Sequence, residues 1–341
     1  MSDARVSPRG PGGGRTRWTS GIVPLLLLSA ELIAGTAGAA DRKGPVLIGA
    51  LTESWGPSPS MVGLRDGLVE LGYRENEQFV IGVRFTQGDL TALPAAAREL
   101  VQQGANIIFT SGPAAARAAR MATTQVPIVF GGGGADPVAQ GLVQSFARPG
   151  GNVTGVADLN IELAPKRLEL FREIIQGLKQ VLFAFHGTDA HAVSEARAYR
   201  EAARRLAIML VEKPVRTQEE AQATLAQIRK GGVDGILVPR SLSFNIPGLV
   251  LETASKLAIP TMFHDPWYVE RGGLASYGSS LYETGRQAAR LVDKILKGAK
   301  PAGIPVEVNP KIEFAINVKA ARTLGLAIAP EVLYRADRLV R

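Results

Sequence analysis

From residue 45 onward, short apolar runs alternate with segments of helical period. Residues 46–51 (VLIGAL) form the first apolar run. Ser58-Pro59 then supply a helix N-cap and a first-turn proline, which predicts a helix to residue 71. Residues 79–85 (FVIGVRF) alternate and read as a strand. A helix over 93–103 ends at Gly104, a buried strand covers 105–110, an alanine-rich helix 114–123 and a further strand 126–130. The later half repeats the pattern, with strands at 181–185, 208–211, 233–238, 260–263 and 274–277 and helices at 193–206 and 219–230. Residues 283–297 read as an amphipathic helix with Ala288, Leu291, Val292, Ile295 and Leu296 on one face. Strands separated by helices of about 10–15 residues imply parallel βαβ units and an α/β fold.

The two halves echo one another. GANIIF at 104–109 parallels GVDGIL at 232–237, VPIVF at 126–130 parallels IPTMF at 259–263, and Asp136-Pro137 and Asp265-Pro266 follow. The echo suggests two similar lobes; the alternative is that all βαβ units look alike. Ligands of open α/β sheets sit beyond the carboxyl ends of the strands. Two facing lobes would place those ends on either side of one cleft, which a hinge motion could close around a solute.

Length and composition narrow the picture. The chain has 341 residues, 46% of them hydrophobic, enough for two domains and a large core. It has no cysteine, which excludes disulfides, thiol catalysis and lipid attachment through cysteine. The net charge is +8, but the basic residues are scattered without a long run or an aromatic–basic pattern, so no nucleic-acid partner is expected. The order of the N-terminus is that of a secretory signal over residues 1–40. Arg15 and Arg17 precede the apolar stretch 21–34, and small residues follow to Ala40. That stretch is too short to span a bilayer, and nothing later resembles a span, so a soluble extracytoplasmic protein is expected.

Candidate chemistry lies at the predicted strand ends. Gly131, Gly132, Gly133 and Gly134 follow the 126–130 strand, and Asp136-Pro137 should start a helix. Bare backbone there lets a ligand approach the main chain. No Gly-Lys-Ser/Thr follows, the dinucleotide glycine pattern is incomplete, and Asp136 would repel phosphate, so a carboxylate or neutral polar solute fits better. The alternative is a flexible crossing loop. Thr52, Glu53 and Trp55 follow the first strand, where Trp55 could stack on a ligand or simply pack at a lobe edge. Ser111 and Gly112 end the third strand and suit hydrogen bonding to a solute or a plain helix cap. His186 and His264 each end a predicted strand, but histidine spacing gives no helical metal pair. Arg240 could hold a ligand carboxylate by a forked pair of bonds, or lie on the surface. No nucleophile elbow, HExxH, kinase signature or carboxylate pair near a base is present, so no enzyme and no cofactor are expected.

Several stretches together resemble a known family. They are RPGGNVTG at 148–155, Asp136-Pro137-Val138 after 126–130, KRLEL at 166–170 (read as a helix start), GGLASYG at 272–278, FAIN at 314–317 and AARTLGL at 320–326. In order and spacing, from Pro45 to the C-terminus, they resemble the ABC-transporter substrate-binding proteins that include tryptophan-binding members. The resemblance implies a type I periplasmic-binding-protein fold, two Rossmann-like lobes with parallel sheets joined by a three-segment hinge. It implies crossings near 152–156, 273–277 and 304–308. Lobe 1 is then 45–155 plus about 278–305, and lobe 2 is 156–273 plus about 306–341. It also implies a small-molecule solute, a membrane permease as partner, a periplasmic location and a monomer.

The expected function is therefore capture of an amino acid or small organic acid between the lobes. Thr52, Glu53, Trp55, Ser111, Gly112, Gly133 and Asp136 would act from one lobe, His186, Arg240 and His264 from the other, with Tyr277 near the hinge. A ligand amine would want Glu53 or Asp136, and a carboxylate would want backbone N–H groups or Arg240. An extracytoplasmic enzyme on the same scaffold, or a sensor docking to a membrane receptor, are the alternatives.

Overall fold

The computed structural model describes residues 44–132, 136–241 and 248–341. The expected signal segment and Gly133 lie outside the described residues. The chain begins as β1 (Val46–Thr52), α1 (Pro59–Glu70), β2 (Phe79–Phe85), α2 (Leu93–Gln102), β3 (Ile107–Ser111), α3 (Pro113–Ala122), β4 (Ile128–Gly131) and β5 (Val153–Ala157). It continues as α4 (Asn160–Ile174), β6 (Gln180–His186), α5 (Ala190–Arg205), β7 (Met209–Val215), α6 (Gln218–Ala226), β8 (Gly235–Leu237), α7 (Leu249–Leu257), β9 (Thr261–Phe263), α8 (Pro266–Val269) and β10 (Ala275–Ser279). It ends with α9 (Leu281–Leu296), β11 (Glu307–Val308), β12 (Ile312–Asn317), α10 (Val318–Thr323), α11 (Pro330–Tyr334) and β13 (Arg338–Val340).

These strands form two sheets. One has the order β11-β5-β4-β3-β1-β2 and the other β13-β12-β10-β9-β8-β6-β7. Every pairing between neighbouring strands is parallel except β10 with β12. The exception has a simple cause. β12 enters its sheet from the short 309–311 segment, with no crossover helix to reverse the chain, so it runs against β10. The chain changes sheet three times, after Ala157, after Ser279 and after Val308. Each change comes just beyond the segment that the resemblance implied, because β5, β10 and β11 continue as paired strands to those points.

The central strands are buried on both faces. β3 and β4 are buried throughout, and Phe109, Phe130, Phe171, Phe183 and Phe263 are almost fully enclosed. Each such side chain contributes roughly 1.5–3 kcal/mol by leaving water. The α9 helix keeps the face read from its period, with Ala288, Leu291, Val292 and Ile295 buried against Ile48, Leu64 and Phe109. It leaves the second sheet and packs on α1 of the first. The approach is close because Gly63, Gly67 and Gly285 line it. A Cβ on Gly63 would meet the Tyr282 carbonyl oxygen at 1.9 Å, and one on Gly285 would meet that of Ser60 at 2.0 Å.

Two local expectations change. Asp136-Pro137 starts only hydrogen-bonded turns over 137–141, not a helix. The Asp136 carboxylate accepts the N–H of Val138 and Ala139 as a helix cap would, but Gln144 then folds back onto the loop at 149–150, donating its main-chain N–H to the Pro149 carbonyl and laying its side chain against Gly150. The α4 helix starts at Asn160 rather than at Lys166, and Pro165 sits inside it without ending it. The Asp-Pro echo survives at its second copy, where the Asp265 carboxylate accepts the Trp267 N–H and Pro266 opens α8.

Candidate functional site

The carboxyl ends of the two sheets supply the chemistry. From the first sheet come Thr52, Glu53 and Ser54 after β1, Ser111 and Gly112 after β3, and Gly132 after β4. From the second come Arg240 beyond β8, His264 and Asp265 after β9, and Asp189 and His191 after β6. All of these side chains are buried.

Arg240 links the two sets. Its Nη2 donates to Asp158 Oδ2 at 2.6 Å and to the Gly132 carbonyl at 3.1 Å, and its Nε donates to the same Asp158 oxygen at 3.1 Å. Burial opposes ionisation of Asp158, but the Arg240 guanidinium, with help from His191, holds its carboxyl below the usual range. Behind this pair lies a second buried group. Arg167, inside α4, donates to the Tyr277 carbonyl at 2.7 Å, to Asn160 Oδ1 at 3.0 Å and to the Tyr199 hydroxyl, and lies 3.5 Å from Glu195 Oε1. Glu195 Oε2 accepts the Arg240 main-chain N–H at 3.1 Å, which joins the two groups.

Glu53 is the unusual acid. It is 2% exposed, and its Oε2 has no hydrogen-bond partner among the described residues. Burial pushes its carboxyl up to about 7. The Asp189 carboxylate adds to this, while main-chain hydrogen bonding, Arg240 and Arg117 pull the other way. Gly112 makes the position possible, because a Cβ there would lie 2.7 Å from Glu53 Oε1, and its φ of 102° suits glycine. Gly112 is also the N-cap of α3, so Glu53 sits against a helix N-terminus.

Three hydroxyls cluster at the end of β3, one residue before Gly112. Ser111 Oγ is 2.8 Å from Ser58 Oγ and 2.9 Å from Ser60 Oγ, and Ser58 caps α1. Ser111→Ala removes the hub of this triangle. It should cost about 1 kcal/mol and lower the melting temperature by about 2–4 °C, measured by calorimetry. Thr52 forms a turn with Ser54, whose hydroxyl donates to the Gly56 carbonyl at 2.6 Å.

In the second set, burial pushes Asp265 up to about 6, although it accepts the N–H groups of Leu281 and Trp267. His264 is held well below its ordinary value by burial, reinforced by Arg240 and Arg167 against a weaker pull from the Val238 main chain. It is therefore neutral at pH 7, and it packs at an angle against Tyr268. The His191 Nε2 is buried and unpartnered among the described residues.

Of the residues singled out from the sequence, the structure brings Thr52, Glu53, Ser111, Gly112, Arg240 and His264 to the facing strand ends. Asp136 is exposed. The Tyr277 ring packs edge-on against Phe314 in the core of the second sheet, so only its carbonyl reaches Arg167. His186 lies beside Thr188, with burial lowering its pKa while Asp189, Arg216 and Glu220 oppose. Trp55 is half-buried in the loop after β1. Sequence reasoning missed Asp158, Arg167, Glu195, Asp189, His191 and Asp265 as site groups. Asp189 and Asp265 carried a usable signal, each being an N-cap directly after a strand. Among the described residues, no group of three or more His, Asp or Glu side chains could hold a metal ion.

The family model described as ABC transporter substrate binding protein matches residues 53–340. The chain belongs to this family. The substrate-binding protein is 26% identical over 266 residues to the "Tyrosine-binding protein" of Clostridioides difficile, covering 77% of this chain and 76% of that one. It is 27% identical to an ABC domain from Streptococcus pneumonia solved with L-Trp, with a TM-score of 0.74 over 87% of this chain and all of that one. A conserved domain protein from Vibrio cholerae is 30% identical, with a TM-score of 0.75 at the same coverage. A 5-methylthioribose-binding protein from Thermotoga lettingae, 16% identical with a TM-score of 0.53, shares the fold. The two sheets joined by three passages are thus a type I periplasmic-binding-protein fold. The family and the relatives named with a ligand are solute-binding proteins, and substrate-binding proteins of ABC transporters work outside the cytoplasm. No helix among the described residues is long and apolar enough to cross a membrane.

Proposed function

We propose that this substrate-binding protein captures an α-amino acid between its two sheets and delivers it to the permease of an ABC import system. One observation carries the ligand class: Glu53, at the end of a strand of the first sheet, is a buried carboxyl with an unpartnered oxygen, and the buried Asp189 carboxylate of the other sheet adds to the rise of its pKa. Two like charges converging in a buried site favour a cation between them. A ligand ammonium would ionise Glu53 and supply its missing hydrogen bond. The ligand carboxylate goes to the N-terminal ends of α1 and α3 and to the Ser58, Ser60 and Ser111 hydroxyls. Arg240 is assigned elsewhere, since its Nε and Nη2 already serve Asp158 and Gly132. The tyrosine-binding and L-Trp-bound relatives support an amino acid and make aromatic ones the first to test. Residues 1–40 act as the export signal in this reading, and the exported form starts near Ala40.

The test is a thermal-shift series at pH 8 with the twenty amino acids, each paired with its deaminated acid. One amino acid or a small related group, at about a hundred times its Kd, should raise the melting temperature by roughly 5 °C or more, through about 2.7 kcal/mol of linkage. Equal shifts from the amine-free acids would defeat the assignment to Glu53.

A further inference from the structure

Glu53 is enclosed without a countercharge of its own. Its carboxyl lies against the N-cap of α3, where a Cβ on Gly112 would stand 2.7 Å from Oε1 and 3.3 Å from Oε2. Oε2 has no hydrogen-bond partner among the described residues. The two buried guanidiniums of the site are committed to other groups. Arg240 serves Asp158 and the Gly132 carbonyl, and Arg167 serves Asn160, Tyr199 and the Tyr277 carbonyl. We infer that the unliganded protein keeps a proton on Glu53 and that the solute's ammonium expels it, so that the protein holds its solute less tightly as its surroundings turn acid. The inference rests on the reading of the solute as an amino acid.

Three observations support it. The first is burial, because an enclosed carboxylate without a partner costs far more than the neutral acid. The second is the balance of charges, which reach Glu53 from three elements. Asp189, the N-cap of α5, opposes ionisation, while Arg240 beyond β8 and the half-buried Arg117 of α3 favour it. The arginines do not offset burial, and the carboxyl stays pushed up to about 7. The third is the free oxygen, which gives an ammonium N–H somewhere to donate. Binding is then an exchange. The Glu53 O–H bond breaks, the proton passes to solvent, and the carboxylate left behind accepts a hydrogen bond from the ammonium. An amino acid keeps its ammonium and its carboxylate from about pH 5 to about 7, so the change in charge belongs to the protein.

Isothermal titration calorimetry in three buffers of different ionisation enthalpy counts the protons released. The titrant is the amino acid that raises the melting temperature most, with L-tyrosine and L-tryptophan tried first. The count should be about 0.9 at pH 6 and about 0.1 at pH 8, and Kd should be about tenfold higher at pH 6 than at pH 8. Other groups titrate near this range: Asp265 is pushed up to about 6, and burial lowers His186. Glu53→Gln, shown folded by circular dichroism, separates them. It should release almost no proton on binding and hold its Kd nearly constant between the two pH values. The coupling is overturned if the parent binds at pH 6 without releasing a proton, or if Glu53→Gln releases as many as the parent; capture of an amino acid then still stands. If none of the twenty amino acids binds, the reading of the solute falls and the coupling falls with it.

Discussion

Glu53→Gln should make the unliganded protein more stable at pH 8 and a far weaker binder of amino acids. The stability half follows from linkage. Burial holds the Glu53 carboxyl at about 7 in the folded protein against 4.5 for an ordinary glutamate. The folded state therefore keeps its proton over a range in which the unfolded chain has lost it. The contribution of Glu53 to stability is full below pH 4.5 and is lost as pH rises through about 7. The loss is on the order of 3 kcal/mol. A glutamine stays neutral at every pH and avoids this loss, so the variant should melt several degrees higher at pH 8 and show a shallower decline between pH 5 and 7. Asp265, pushed up to about 6, contributes with the same sign and leaves a residual slope. The binding half follows from the ligand's ammonium. Removing the charge from its partner costs about 1.5–3 kcal/mol, or roughly 10–100-fold in Kd. Calorimetric melts from pH 5 to 8 with and without ligand read both halves. A variant that matches the parent in pH slope and affinity would show that Glu53 is neither strained nor part of the site.

Gly285→Ala should be among the most damaging single substitutions in the protein. The new Cβ would lie 2.0 Å from the Ser60 carbonyl oxygen and 2.8 Å from the Leu64 nitrogen. Both are main-chain atoms, so no flexible side chain can yield, and α9 must move away from α1. Alanine improves helix propensity by at most about 1 kcal/mol. The overpacking should outweigh that and leave a net loss of about 3 kcal/mol or more. The displaced α1 carries Ser58 and Ser60, so ligand affinity should fall with stability. Gly303→Ala is the matching control, because a Cβ there meets nothing within 4 Å. Urea unfolding of both variants checks the claim, and an unchanged midpoint for Gly285→Ala would mean that the helices do not approach as described.

The legible parts of the fold are those governed by period. The alternation at 79–85 and the apolar run at 46–51 gave β2 and β1, and the stripe from Ala288 to Ile295 gave the buried face of α9. Position along a strand also pointed to chemistry. Glu53, Ser111, Gly112, Arg240 and His264 all come from reading strand ends as site positions. What failed depends on partners distant in sequence. Whether Asp136-Pro137 starts a helix or a single turn depends on what the following chain packs against, and the capping signal is the same in both cases. The antiparallel entry of β12 follows from the path of the third passage, not from its own residues. Arg167 and Glu195 sit in helix interiors, where a charged residue ordinarily faces solvent. Only the fold brings them to each other and to Arg240.

The proposed binding mode puts an amino acid between the two sheets with its ammonium on Glu53. Its decisive test is native mass spectrometry of the protein after incubation with an equimolar mixture of the twenty amino acids. The expected result is a single adduct of one equivalent, with the mass of one amino acid, reduced about 10–100-fold in the Glu53→Gln protein under the same conditions. No adduct in the parent protein, or one that persists unchanged in Glu53→Gln, would contradict it.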